Sequence, residues 1–213
     1  MLKIILLAVT IGFISSGCDN KPTQEIDYGE INNGTYSNSY FNMSIHLPDT
    51  WAIQSQAAQQ AIMQTGVDLI SGEDNNLKQA LKASEKQSVN MFAAFKYEQG
   101  TPVAFNPSIM AVAENVAQVP GIKRGSDYNY HVKNILQSGQ LEYNFPDETD
   151  SEQISGVSFD IMHANIGVAD TLINQKYYTT RINDYVLGFI LSYSSEAEEK
   201  DLDDIMATLQ FNK

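Results

Sequence analysis

Tyr185-Val186-Leu187-Gly188-Phe189-Ile190-Leu191-Ser192-Tyr193 decides the fold. In a strand, neighbouring side chains point to opposite faces, so Val186 and Ile190 share one side and Leu187, Phe189 and Leu191 the other. Both sets are apolar. A strand that can leave neither face to water belongs in the middle of a sheet covered on both sides. Asn183-Asp184, just before it, has the composition of a two-residue hairpin turn. That turn leads back to a strand over Thr171 to Ile182, and another candidate strand runs from Val157 to Ile166. Strands joined this tightly pair antiparallel.

Upstream, Phe41, Met43, Ile45 and Leu47 alternate with polar residues, the pattern of a strand with one buried face, and Pro48 ends it. Trp51 and Ile53 read as a short continuation of that strand. From Gln56 to about Ile70 the period becomes helical, with Ala58, Ala61, Ile62, Thr65 and Leu69 on the expected inner stripe. Leu77 and Leu81 suggest a second, shorter helix. Val89, Met91, Ala93 and Phe95 alternate next, and Ser108 to Val116 gives a further strand. Gly125-Ser126-Asp127 offers a helix start before Tyr128, Val132, Ile135 and Leu136. Ser195 and Glu198 form an S-x-x-E capping box ahead of the closing stripe Leu202, Ile205, Met206 and Leu209.

The N-terminus gives an address. Lys3, an apolar run over Ile4 to Ile14 and then Ser15-Ser16-Gly17-Cys18 read as an export signal, too short for a membrane-spanning helix, which needs about 20 apolar residues. The small residues before the cysteine resemble the lipobox of bacterial lipoproteins, which implies lipidation of Cys18 and cleavage after Gly17. Cys18 is the only cysteine, so no internal disulfide is expected. The organisation expected is residues 1–17 as signal peptide, 18–34 as acylated N-terminus and flexible tether, and 35–213 as one domain. The net charge of −13 argues against nucleic acid as a partner.

The stretch from Tyr40-Phe41 through Ile45, Leu47, Pro48 and Trp51 resembles the opening of the PsbP/Mog1-like superfamily. The ending from Gln175-Lys176-Tyr177 to Leu209 and Phe211 resembles its closing hairpin and helix. The resemblance implies an α+β fold, an α/β/α sandwich with a central antiparallel sheet. It also implies an accessory or binding role, as in envelope lipoproteins of the DcrB type, and supplies no catalytic residues.

The chemistry-bearing residues are sparse. His46, His131 and His163 lack metal-ligand spacing, and no glycine-rich phosphate cradle occurs, so no cofactor is indicated. His46 is expected at the surface and His163 at a core margin, hydrogen-bonded. Asp147, Glu148, Asp150 and Glu152 read as an acidic loop, oxygen ligands of the kind calcium prefers but without EF-hand spacing. The acidic face of the last helix, with Glu199, Asp201, Asp203 and Asp204, reads as solvated rather than as a cation site. Tyr128, Tyr130, Tyr143 and Phe145, with Asp147 and Asp150, are candidates to line a ligand cleft.

The expected function is a non-enzymatic envelope lipoprotein, held to a membrane by its lipid and facing an envelope protein partner. Two alternatives stand beside it. One is a small-ligand or cation carrier using the residues between Tyr128 and Glu152. The other is a hydrolase, which needs a serine hydrogen-bonded to one of the three histidines.

Overall fold

The computed structural model describes residues 26–146 and 149–212. In chain order the elements are β1 (Glu30–Asn32), β2 (Thr35–Asn38), β3 (Met43–His46), β4 (Ala52–Ile53), α1 (Gln56–Ser71), α2 (Asn75–Glu85), β5 (Ser88–Phe95), β6 (Ser108–Asn115), α3 (Gly125–Ser138), β7 (Tyr143–Asn144), β8 (Thr149–Ile154), β9 (Val157–Val168), β10 (Thr171–Ile182), β11 (Tyr185–Tyr193), α4 (Glu196–Met206) and β12 (Gln210–Phe211). The class is α+β.

β11 lies inside an eight-stranded antiparallel sheet ordered β4-β5-β6-β11-β10-β9-β7, with β8 also paired to β9. The β10–β11 hairpin closes with Ile182 opposite Tyr185. Asn183 takes the left-handed conformation at φ 55°, one that asparagine tolerates better than other side chains bearing a Cβ. Both faces of β11 are covered, as its two apolar sets require. Leu187, Phe189 and Leu191 enter the main core, while Val186 and Ile190 join smaller clusters with Ile122, Leu136 and Tyr177.

The two coverings differ in kind. α1, α2 and α3 lie on the second face. On the first, α4 shares the layer with a four-stranded sheet, β1-β2-β3-β12. Phe189 lies 6.4 Å from Phe92 and 6.0 Å from Phe159, and Phe92 lies 4.9 Å from Tyr36 of the small sheet, so aromatic rings bridge the two sheets. Leu202, Ile205, Met206 and Leu209 complete this core, and the closing stripe lies where its spacing puts it.

Four sequence expectations change. Residues 26–34 pack on the domain instead of leading to it as a tether. β1 pairs with β2, and the Asn38 side chain donates to the Asp27 backbone and carboxylate at 3.0 and 2.7 Å. Trp51 is buried, but β4 does not continue β3; the turn after Pro48 carries the chain to the other sheet, where Ala52 pairs with Phe95. On α1 the buried residues are Gln59, Val67 and Ser71, while Leu69 is exposed. The buried Gln59 amide donates to the Gln54 carbonyl at 3.0 Å, and its Oε1 has no hydrogen-bond partner. On β5 a bulge between Asn90 and Phe92 shifts the alternation, so Phe92 and Ala94 enter the main core and Phe95 does not.

Candidate functional site

The N-terminal end of α3 is held tightly against the sheet. Gly125 allows this, because a Cβ there would run into the Thr179 carbonyl of β10. The Asp127 carboxylate accepts the backbone N–H groups of Lys123 and Arg124 at 2.9 and 3.2 Å, satisfying donors that a helix start leaves unpaired. Asp160 of β9 ties the two elements together. Its carboxylate accepts the Ser126 N–H at 2.8 Å, and its carbonyl accepts from Asn129 Nδ2 at 3.3 Å and Thr179 Oγ1 at 3.2 Å.

Ser126, Asn129, Tyr130 and Lys133 follow i, i+3, i+4, i+7 spacing and form one wall of a cleft of about 300 Å³. Phe145, Pro146 and Met162 supply apolar surface on the other sides, and Asp150, Asp160 and His163 the remaining polar groups. The Lys133 ammonium stands 5.1 Å from the centre of the Phe145 ring. Asn129 is 7% exposed and its Oδ1 has no hydrogen-bond partner; neither has the buried Ser126 Oγ.

A second cleft, about 430 Å³, shares Asp150, Ile161 and His163 with the first and reaches to α4. Lys176 of β10, 9% exposed, lies at its base. The ammonium is 2.8 Å from Glu199 Oε1 and donates to both Asp203 oxygens at 2.9 and 3.0 Å. Burial opposes its charge, but these carboxylates prevail and hold the Lys176 pKa above the ordinary lysine value. Burial likewise pushes the Tyr178 hydroxyl up to about 12, so it remains a protonated donor at neutral pH.

The sequence candidates are dispersed by the fold. Tyr130, 69% exposed, and Asp150 do line the first cleft. Tyr128 does not: its side chain turns inward and its hydroxyl donates to Glu114 Oε2 at 2.6 Å. Burial first, and then the adjacent carboxylate, push that hydroxyl well above its usual pKa. Tyr143 packs against the cluster around Leu136 and stacks on Phe145, 6.0 Å between ring centres, so it supports the wall without lining it. Asp147, Glu148 and Cys18 lie outside the described residues.

Of the acidic residues expected in a loop, Asp150 and Glu152 lie on β8 instead, and Asp150 Oδ2 is 3.0 Å from His163 Nε2. On α4, Glu199 and Asp203 hold Lys176, Asp201 holds Lys96 and Asp204 holds Lys200, so lysines occupy the positions a cation would take. Among the described residues no group of three or more histidine, cysteine or acidic side chains could hold a metal ion. His46 is exposed, its ring nitrogen 3.5 Å from Thr35 Oγ1. Among the described residues no serine hydroxyl is hydrogen-bonded to any histidine, so the triad alternative lacks its nucleophile–base contact.

Sequence reasoning missed Ser126, Asn129, Lys133 and Asp160 as cleft residues. The signal for Ser126, Asn129 and Lys133 was the i, i+3, i+4, i+7 row beginning just after Gly125, opposite the apolar face that drew attention; Asp160, on β9, had none.

No protein-family model matches the chain, and no curated protein matches it by sequence. Among solved structures, the solution structure of cyanobacterial PsbP from Synechocystis sp. PCC 6803 aligns with a TM-score of 0.51 at 10% identity, covering 86% of this chain and 96% of that one. LpqN, described as involved in cell envelope biogenesis of Mycobacterium tuberculosis, aligns with a TM-score of 0.41 at 12% identity, covering 80% of this chain and 83% of its own. A protein of unknown function from Pseudomonas aeruginosa gives a TM-score of 0.39 at 15% identity, covering 55% of this chain and 80% of that one. The PsbP alignment speaks of fold alone: this chain has a PsbP-like fold.

Proposed function

We propose that this protein is a bacterial envelope lipoprotein, anchored by acyl chains on Cys18 and acting as a non-enzymatic accessory or binding module for another envelope component. The observation that carries the reading is Cys18 itself, the only cysteine of the chain, placed directly after an apolar run and Ser15-Ser16-Gly17. One acyl chain gives only marginal membrane binding, whereas two or more at one terminus make attachment stable. No helix among the described residues is long and apolar enough to cross a bilayer. The PsbP-like fold supports a binding role by analogy, and fold analogy does not choose the partner.

Metabolic labelling with an alkyne palmitate analogue tests this. Wild-type protein is expected to take up label and fractionate with membranes, and Cys18→Ser to lose the label and remain unprocessed. Equal labelling of the two would overturn the anchor. Turnover of an ester, peptide, phosphoester or glycan, abolished by a single substitution, would overturn the non-enzymatic part.

A small-ligand carrier is the second reading. The cleft beside α3 favours it, because it combines aromatic surface with a few polar groups, the usual composition of a ligand site.

A further inference from the structure

The cleft between α3 and β9 contains a polar atom that the fold leaves without a partner. Asn129 is anchored by its Nδ2, which donates to the Asp160 carbonyl at 3.3 Å, while its buried Oδ1 accepts from nothing. Leaving a buried acceptor unmatched is costly, and such groups are rare in folded proteins. The adjacent Ser126 Oγ is buried without a partner as well. Both belong to the wall that also presents Tyr130, which is 69% exposed although its neighbours on that row are largely covered.

The charges select the ligand's sign. The one hydrogen-bond donor that α3's first turn offers to Asp160, the Ser126 N–H, is already used at 2.8 Å. An anion would therefore meet the carboxylates of Asp160 and Asp150, with Lys133 the one lysine of the lining and His163 already paired to Asp150 at 3.0 Å. A group bearing N–H donors and a positive charge would instead satisfy Asn129 Oδ1 and gain from Asp160. The apolar remainder of the ligand would lie against Tyr130 and Phe145, where a flat ring gains most from aromatic contact.

We propose that this cleft binds a small organic amine with an aromatic body, its ammonium donating to Asn129 Oδ1 and facing Asp160 while its ring lies against Tyr130 and Phe145. The proposal rests on the reading of the protein as a binding module and names the ligand class that module takes. Lys133 is the discordant charge in this arrangement, so it limits affinity rather than providing it.

Titration calorimetry on the full-length protein in detergent, with phenethylamine and its carboxylate counterpart 3-phenylpropionate as probes, tests it. Phenethylamine is expected to bind and 3-phenylpropionate to bind at least about tenfold more weakly, a difference of about 1.4 kcal/mol. Tyr130→Ala, at an exposed position that the fold does not need, and Asn129→Ala are each expected to weaken phenethylamine severalfold. Lys133→Gln should tighten it by removing a like charge. Equal binding of the two probes, no binding of phenethylamine, unchanged affinity in Tyr130→Ala, or weaker binding in Lys133→Gln would each overturn the assignment. Because palmitate labelling is read separately, a silent titration with normal labelling rejects this ligand class and leaves the envelope reading standing.

Discussion

Lys176→Met is the sharpest test of how α4 is fixed to the sheet. Methionine preserves the length and apolar stem of lysine and removes only the charge. Glu199 and Asp203, one helical turn apart, would then face the same space without their shared cation. Breaking a fully buried pair costs about 3–5 kcal/mol, whereas an exposed pair contributes about 0–1. Here the lysine side chain is 11% exposed, but the carboxylates are 32% and 44% exposed and can recover part of their hydration. The expected loss is therefore intermediate, about 2 kcal/mol, to which i,i+4 repulsion contributes about 0.2–0.5. For a chain of this length that corresponds to a fall in Tm of about 4–8 °C. Urea unfolding followed by fluorescence of Trp51, the single tryptophan and a buried one, measures it directly. Lys200→Met, which breaks an exposed pair with Asp204, is the control and should leave stability unchanged.

The same variant carries a pH signature. The folded Lys176 pKa is raised, so its contribution is complete below the unfolded value of about 10.4 and disappears as pH rises through the folded value. Glu199 is the reverse case. Burial opposes its charged form, but hydrogen bonds from Lys176 and Tyr193 outweigh that and lower its pKa, so its contribution is complete above about 4.3 and fades as pH falls through the folded value. The difference between wild type and Lys176→Met should thus be flat from about pH 5 to pH 9 and shrink at both ends. A loss below about 0.5 kcal/mol at neutral pH, or a loss unchanged at acid pH, would refute the ion-pair account.

Trp51→Ala should cost about 3–5 kcal/mol by emptying a site in the main core, measured by urea denaturation with far-UV circular dichroism because the fluorophore is removed. Gly125→Ala should cost about 1–3 kcal/mol, since the new methyl meets the Thr179 carbonyl and must lift the start of α3 from β10; a neutral or stabilising result in thermal denaturation would reject that close approach. Tyr128→Phe removes a hydrogen bond to a carboxylate and should cost about 1.5–3 kcal/mol, with Ser84 still donating to Glu114 at 2.7 Å; an unchanged Tm would place Tyr128 in solvent instead.

Much of the large sheet was legible because its strands are long and strongly apolar. β9 alternates over much of its length, β10 and β11 carry buried runs that only a sheet covered on both faces accommodates, and the Asn183-Asp184 turn supplies their register. Of the small sheet, β3 was legible from its alternation but β1 and β12 were not. β1 is Glu30-Ile31-Asn32, exposed at every position, and β12 has two residues, so neither carries a period to detect. The α1 stripe was misplaced because Gln59 and Ser71 are polar by composition yet buried in fact. Ser71 Oγ donates locally to the Val67 carbonyl at 2.7 Å, and Gln59 donates its amide N–H to the Gln54 carbonyl while its Oε1 stays unpartnered, so hydropathy spacing could not find them. On β5 the alternation was real, but one bulged residue reversed which half of it faces the core.

Tyr130, Phe145 and Asp150 were legible as cleft residues, but the rest of the candidate site eluded the sequence for a topological reason, and the same reason accounts for its position. β7 pairs with Asn165 and Ile166 of β9, and β8 pairs with Val157 to Met162, so the edge of the large sheet is shared by two strands that do not meet. His163 and Ala164 lie between those pairings. An unbroken edge strand would have carried the ladder past them and separated the two faces of the sheet; the break lets Asp150, Ile161 and His163 border a cleft on either side. No local period encodes that break. It arises from where β7 ends relative to where β8 begins, across long-range pairs, whereas the α3 residues that wall one cleft depend on Gly125 admitting the helix to the sheet. The cleft is thus a consequence of two independent fits, and a perturbation of either should alter it while the β11 core, which neither touches, keeps its packing.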